Sequence, residues 1–199
     1  EGSQIFAALR DFVDAGGGVV TTGWFAGEIA AYTDAAARAD ADYISPAASS
    51  PDSLYTRAGS TITVLDAAHP IAGGIESYQV DAFVHELAGA VDASATVLAS
   101  GGASALAAIA YDEVGTNGGL TVFLGSLHMG SADFALDGIR IGKADQIFEQ
   151  AVAWAAGPQD EGGTAATDED TPRTIDVLAN DTDIDTGDVD VLAVALMQP

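Results

Sequence analysis

Cysteine is absent from the 199 residues, which excludes disulfides, zinc–thiolate centres and a thiol nucleophile. An extracellular location stays open on this count, because a chain of this length holds a core without covalent staples. Basic residues are nearly as scarce. Six Lys+Arg stand against thirty Asp+Glu, a formal net charge of -24, and Lys143 is the only lysine. A surface of that sign repels phosphate backbones and anionic membranes, so no nucleic acid is expected as a partner and cations are the natural counterpart. Asp outnumbers Glu 22 to 8, a balance that suits a secreted or salt-adapted protein and equally a well-solvated surface. No run of about 18 apolar residues occurs, so no membrane insertion is expected. There is no signal peptide, and the chain opens at Glu1 without Met, almost at once inside a helical pattern. It is read as an excised fragment whose N-terminus lies upstream.

What is present is ample core material, with 48% hydrophobic and 7% aromatic residues. The stretch Leu9 to Gly27 organises it. Ile5, Phe6, Leu9, Phe12 and Val13 follow the spacing of a helix face, with Ser3 as N-cap. Gly16, Gly17 and Gly18 stop that helix, since glycine enters the left-handed C-cap conformation without a Cβ clash. The β-branched run Val19 to Thr22 then reads as a central strand, and Gly23-Trp24 leaves it at the C-terminal end, where open parallel sheets bind ligands.

Further along, Phe25 to Tyr32 reads as a helix and Thr33 to Arg57, Ala-rich and without a period, as a surface excursion. Ser60 to Leu65 alternates like a strand and runs into the ordered loop Asp66 to Ile75. Tyr78 to Val84 and Ala95 to Ala99 are further strands. Ala105 to Tyr111 and Leu120 to Leu124 flank the turn signal Asn117-Gly118 and should pair antiparallel. Lys143 to Ala156 is the final helix, with Ala144, Ile147, Phe148, Ala151, Val152 and Ala155 in one stripe, stopped by Gly157-Pro158. Composition then changes. Residues 158–170 form a linker of Gly, Ala, Thr and acid, and from 171 onward TIDVLA and VDVLAVALM are strands around the acidic loop NDTDIDTGD. Residues 158–199 carry eleven acids and one base, against nineteen and five before them.

The order of helix, GGGVV strand and turn, then VLDAAHPIAGGI, then LTVFLGSLH and a closing helix, resembles the C-terminal two thirds of a class I glutamine amidotransferase-like domain. The nearest branch is the trehalose-utilisation (ThuA-like) one. This resemblance implies an α/β fold for residues 1–157, a partial flavodoxin-like three-layer sandwich whose first strands are missing. DEDTPRTIDVLANDTD, Asp168 to Asp183, resembles the opening of the cadherin-like or immunoglobulin-like tandem repeats of very large bacterial surface proteins. Residues 171–199 would then be a short all-β piece, the first strands of a β-sandwich repeat.

An amidotransferase-like domain places its cysteine at the strand-to-helix elbow. Here the elbow reads Thr22, Gly23, Trp24, Phe25, which removes that chemistry, and no G-x-S-x-G offers a serine version. Trp24 and Phe25 could line a sugar pocket or belong to the core. His69, in a His-Pro turn, reads as structural. His85 with Glu86 lies near a strand end, and His128 leaves the strand LTVFLGSL at the expected ligand face, where the ThuA-like resemblance implies a histidine. Glu28, His85, Glu86 and His128 can be drawn as a metal or acid/base site, with His128 at a hydrogen-bonded rim as the plainer reading. No H-x-x-x-H or H-E-x-x-H forces the former.

In the acidic loop, Asn180, Asp181, Asp183, Asp185 and Asp188 gather hard oxygen ligands suited to Ca²⁺. The plainer reading is a solvated acidic turn. It is not an EF-hand, because counting from Asp181 the glycine falls at the seventh place and Leu192 at the twelfth. The sequence therefore leads to a non-catalytic module of a large secreted or cell-surface, adhesin-like, calcium-binding repeat protein. Its partners would be a carbohydrate or cell-surface ligand and further repeats of the same chain. The alternative is a ThuA-like carbohydrate-active domain working through His128 and neighbouring acids.

Overall fold

The computed structural model describes residues 2–30, 34–47, 54–57, 60–79, 84–126 and 142–157. The chain divides between Gly157 and Pro158, and every described residue belongs to the first unit. The linker, the acidic loop with Asn180, Asp181, Asp183, Asp185 and Asp188, and His128 lie outside the described residues.

Helix α1 (Gly2–Asp14) opens the fold. Ser3 sits inside its first turn, so it is not the N-cap that the sequence suggested. The helix closes in a paired hydrogen-bond motif: the Gly16 N–H donates to Val13 O (2.9 Å) and the Gly17 N–H to Phe12 O (3.0 Å), with Gly16 at φ 98°. This is the Schellman arrangement, which only a residue free of Cβ strain adopts cheaply. Strand β1 (Gly18–Thr22) follows at once, then the short helix α2 (Phe25–Ala30).

The stretch expected to be a surface excursion instead holds helix α3 (Ala35–Tyr43), capped by Asp34, whose Oδ1 accepts the N–H groups of Ala36 (2.9 Å) and Ala37 (3.3 Å). Ala37, Ala41, Ile44, Ser45 and Ala47 are buried. A stripe made of alanine buries well but gives little hydrophobic contrast, which is why the period does not show in the sequence.

The remaining strands are β2 (Leu54–Arg57), β3 (Thr61–Val64), β4 (Ser77–Gln79), β5 (Val84–Leu87), β6 (Thr96–Gly101), β7 (Leu106–Val114) and β8 (Gly119–Leu124), before helix α4 (Gly142–Ala155). A 3₁₀ turn at Pro70–Ala72 follows β3. The span read as one strand, Tyr78 to Val84, proves to hold the end of β4 and the start of β5, which belong to different sheets.

One sheet runs β1-β8-β7-β6-β3-β4 and a second pairs β2 with β5. Among the described strands of the large sheet, β1 and β8 alone are parallel, and the other pairs are antiparallel. The architecture is thus α/β with a mixed sheet, where the sequence pointed to parallel strands. The β7–β8 hairpin has the antiparallel pairing that its Asn-Gly turn requires, with Gly115 and Gly118 near φ 70°.

Helices cover both faces beside β1. A Cβ on Gly18 would strike the carbonyl of Ala155 in α4, and one on Gly119 would strike the carbonyl of Val13 in α1. Gly119 is out of phase with Gly18 in the register, so α4 and α1 lie on opposite faces. The α4 side holds the main core, with Ile62, Leu98, Ile109, Val122 and Leu124 meeting Ile71, Ile75, Ile147 and Ala151. The other side is built from smaller groups: Ala26, Ala47, Ala88 and Ala107 around Phe123, and Ile29 with Ala41 beside Phe6 and Phe25.

Candidate functional site

The C-terminal end of the β1/β8 pair is the place a ligand would occupy in an open α/β sheet. Here β5 crosses it. His85 bridges to Ser126 and Ala88 to Ala107. The Glu86 N–H donates to Gly125 O at 2.7 Å, and the Gly23 N–H in the elbow donates to Ser126 O at 3.0 Å. Gly125 is required at this crossing, since a Cβ there would overlap the Glu86 carbonyl and the His85 imidazole.

The turn that leaves β1 is strained, and its apex carries an indole. Trp24 sits at φ 70°, a conformation that costs about 1–3 kcal/mol for a residue with a side chain and persists only where its surroundings impose it. Its carbonyl accepts the Glu28 N–H (2.9 Å), the first turn of α2. Tryptophan offers no acceptor for the next free amides of the helix, a task that an N-cap Ser, Thr or Asp usually performs. Glu86 takes that task from a distance of sixty residues in sequence. Its Oε2 accepts the Ala26 N–H (3.3 Å) and its Oε1 the Gly27 N–H (2.7 Å). Glu86 is fully buried.

His85 points to the opposite side of β5. It is 1% exposed, with Nδ1 2.9 Å from the Glu86 carbonyl and Nε2 3.2 Å from the Tyr78 hydroxyl. A carbonyl only accepts, so Nδ1 carries a proton, and Nε2 is paired with the Tyr78 hydroxyl. The two bonds leave the ring oriented and enclosed. On β1, the Thr21 hydroxyl donates to Val122 O (3.0 Å), so the Ser45 hydroxyl donates to Thr21 Oγ1 (2.7 Å).

Of the residues singled out in the sequence, the structure brings His85 and Glu86 to the elbow. Glu28 is exposed on α2. Phe25 packs edge-on against Phe6, centroids 6.0 Å apart, as part of the core between α1, α2 and α3. Trp24 is half-buried at the turn. Tyr78 and Ser126, which hold His85 and its strand in place, carry no sequence signal beyond their strand alternation.

His69 caps the 3₁₀ turn, its Nδ1 accepting the Ile71 N–H at 3.3 Å. It stacks on Tyr111 (4.3 Å) and lies 5.5 Å from Trp154. Burial lowers its pKa against the opposing pull of Asp66, so the neutral ring that the cap needs is also the favoured one. Elsewhere Asp92 is pushed up to about 6, first by partial desolvation and then by Asp42 and Asp112. Among the described residues, no three His, Cys, Asp or Glu side chains are placed to hold a metal ion.

No family model matches the chain and no curated protein is similar to it. Among solved structures it is similar to the cytoplasmic protein STM3548 from Salmonella typhimurium, at 14% identity and a TM-score of 0.49 over 76% of this chain and 60% of that one. It is also similar to the cytoplasmic protein STM1381 from Salmonella typhimurium LT2, at 14% identity and a TM-score of 0.47 over 76% of this chain and 58% of that one. The chain thus spans less than two thirds of either. The expectation of an extracellular or cell-surface location is corrected at this point, because both structures are named cytoplasmic proteins, which points away from it. Among the described residues no helix is long and apolar enough to cross a membrane.

Proposed function

We propose that residues 1–157 are a non-catalytic module, a degenerate amidotransferase-like domain of flavodoxin-like descent, preceding the first strands of a calcium-binding β-sandwich repeat. The observation that carries this reading is the Glu86 carboxylate seated on the amides of Ala26 and Gly27 beneath Trp24. Acyl transfer at such an elbow needs a nucleophile at the apex and free donors for a developing oxyanion. Here an indole holds the apex, and the Glu86 carboxyl oxygens already occupy the amides that follow.

The test is a screen of p-nitrophenyl esters, anilides and glycosides with the wild-type chain and His128→Ala. No turnover dependent on His128 is expected. Hydrolysis that disappears in His128→Ala would overturn the proposal and establish the alternative, a ThuA-like carbohydrate-active domain using His128 with nearby acids. One observation favours that alternative: β5 sets His85 and Glu86 against Ser126, two residues ahead of His128.

For the tail, we propose Ca²⁺ as the ligand of Asn180, Asp181, Asp183, Asp185 and Asp188. Repulsion among these carboxylates disfavours a compact loop until a divalent ion turns them into ligands. Calorimetric titration should show affinity of about 10⁻⁴ to 10⁻³ M, the range of weak modular sites, lost in Asp183→Asn/Asp185→Asn. Equal heats for the two proteins would reduce the loop to a solvated turn.

A further inference from the structure

Asparagine occurs twice in the chain, as Asn117-Gly118 and Asn180-Asp181. Asn180 lies outside the described residues, whereas Asn117 is exposed at the tip of the β7–β8 hairpin, in the turn between Val114 and Gly119. The two strands fix what this tip touches. The Asn117 carboxamide nitrogen donates to the Asp14 carbonyl at 2.6 Å, across 103 residues of chain. Asp14 is the last residue of α1, so the bond satisfies one of the carbonyls that a helix end leaves free. The backbone is close as well: a Cβ on Gly16, in the turn that closes α1, would stand 3.1 Å from the Asn117 carbonyl oxygen.

This clasp depends on an amide, because a carboxamide offers N–H donors and a carboxylate offers none. With an aspartate at 117, two acceptors would face each other at the Asp14 carbonyl, and a new negative charge would stand at the negative end of the α1 dipole. No basic residue lies in the last turn of α1 to offset it. The neighbouring guanidinium is engaged: Arg10 pairs with Asp40 at 3.0 Å and lies 4.7 Å over the Tyr43 ring, while the Tyr43 hydroxyl donates to the Asp14 carboxylate. The local chemistry favours that very change. The Gly118 nitrogen is a nucleophile one residue from the Asn117 carboxamide carbon, and no side chain on 118 crowds its approach. The space into which a Cβ would project is open, with no atom within 4 Å, and the Gly118 N–H makes no hydrogen bond among the described residues.

We propose that Asn117 is a site of spontaneous deamidation, and that the conversion unfastens the hairpin tip from the C-terminal end of α1. Hydroxide removes the Gly118 amide proton, and the nitrogen bonds to Asn117 Cγ. Nδ2 then leaves as ammonia after taking a proton from water, closing a cyclic succinimide. A second water opens the ring. Attack at Cγ gives aspartate in an ordinary backbone, and attack at the main-chain carbonyl gives isoaspartate, in which the chain runs through Cβ. The net change consumes water and releases ammonia, with nothing oxidised or reduced. In either product a carboxylate replaces the donor, and isoaspartate also lengthens the turn by a backbone atom. Each event adds one negative charge to a chain already at -24.

The test ages the 199-residue chain at physiological temperature and mildly alkaline pH, beside the free peptide Gly-Thr-Asn-Gly-Gly-Leu as a reference for reactivity. Peptide-mass mapping follows the amide-to-acid conversion, and chromatography separates aspartate from isoaspartate. Conversion is expected at Asn117, and none at that position in Asn117→Gln, whose longer side chain closes the corresponding ring far more slowly. Amide hydrogen exchange reads the structural consequence. The Gly16 and Gly17 amides, which donate to Val13 and Phe12, should exchange about tenfold faster in the aged protein and in Asn117→Asp, the scale of one lost hydrogen bond. The interior amides of β6 and β7 should not change. Asn117 still intact after the reference peptide has converted would overturn the site, and equal exchange at Gly16 and Gly17 in Asn117→Asp and wild type would overturn the unfastening.

Discussion

Glu86 replaces the cap that Trp24 cannot provide, so its removal leaves two amides of α2 without acceptors in a buried place. Glu86→Ala is expected to cost about 2–4 kcal/mol in urea unfolding, and Glu86→Gln to recover part of it, since one oxygen still accepts. A loss below about 0.5 kcal/mol would show that water serves those amides as well. His69 and Asp92 push the pH dependence of stability in opposite directions. The folded-state pKa of His69 is lowered, by burial, so its contribution is present above the unfolded pKa of about 6.5 and is lost as pH falls below that value through the lower folded one. His69→Gln should therefore flatten the loss of Tm on going below neutrality. The folded-state pKa of Asp92 is raised to about 6. The folded state then holds its proton more tightly, and stability falls as pH rises from near 4 through about 6. Asp92→Asn should raise Tm at pH 7 to 8 and leave it unchanged at the acidic end, and a uniform shift at all pH values would refute the assignment.

At the scale of elements, the joints show where the chain is strained. Ala105 turns between β6 and β7 at φ 50°, its N–H donating to Gly102 O at 3.3 Å. It is exposed, so relief of strain is separable from packing. Ala105→Gly should stabilise by about 0.5–1 kcal/mol in chemical denaturation. Gly18 is the opposite case. Its Cβ would meet the Ala155 backbone, which cannot rotate away, and Gly18→Ala should destabilise by about 1–3 kcal/mol through a forced shift of α4. Helices α1 and α4 and the β7–β8 hairpin were legible because each combines an amphipathic or alternating pattern with a glycine stop or turn. Helix α3 was not, because Ala37 and Ala41 bury a face too small to stand out.

For the whole molecule, the charge of -24 makes the compact state self-repelling. Monovalent salt should raise Tm between about 0.1 M and about 1 M, as the screening length falls from roughly 10 Å to roughly 3 Å. A flat response in differential scanning calorimetry would mean that the acids are spaced too widely to interact. The same scale explains the elbow. The C-terminal end of β1 and β8 is a ligand position in a doubly wound sheet, yet the chain lays β5 across it and fills it with His85 and Glu86.

The sequence alone determined the α/β alternation around GGGVVTT, the absence of any thiol and of a G-x-S-x-G motif, the hairpin and the closing helix. These follow from glycine stereochemistry, hydrophobic period and residue absence, all of which act within a few residues of chain. Only the tertiary structure decided that the sheet is mixed, that Tyr78 and His85 stand on different sheets yet share a hydrogen bond, and that Glu86 caps α2. Each of those depends on contacts between segments far apart in sequence, such as the sixty residues from Ala26 to Glu86. No local pattern encodes which distant carboxylate will reach an unsatisfied amide; burial of the whole chain selects it.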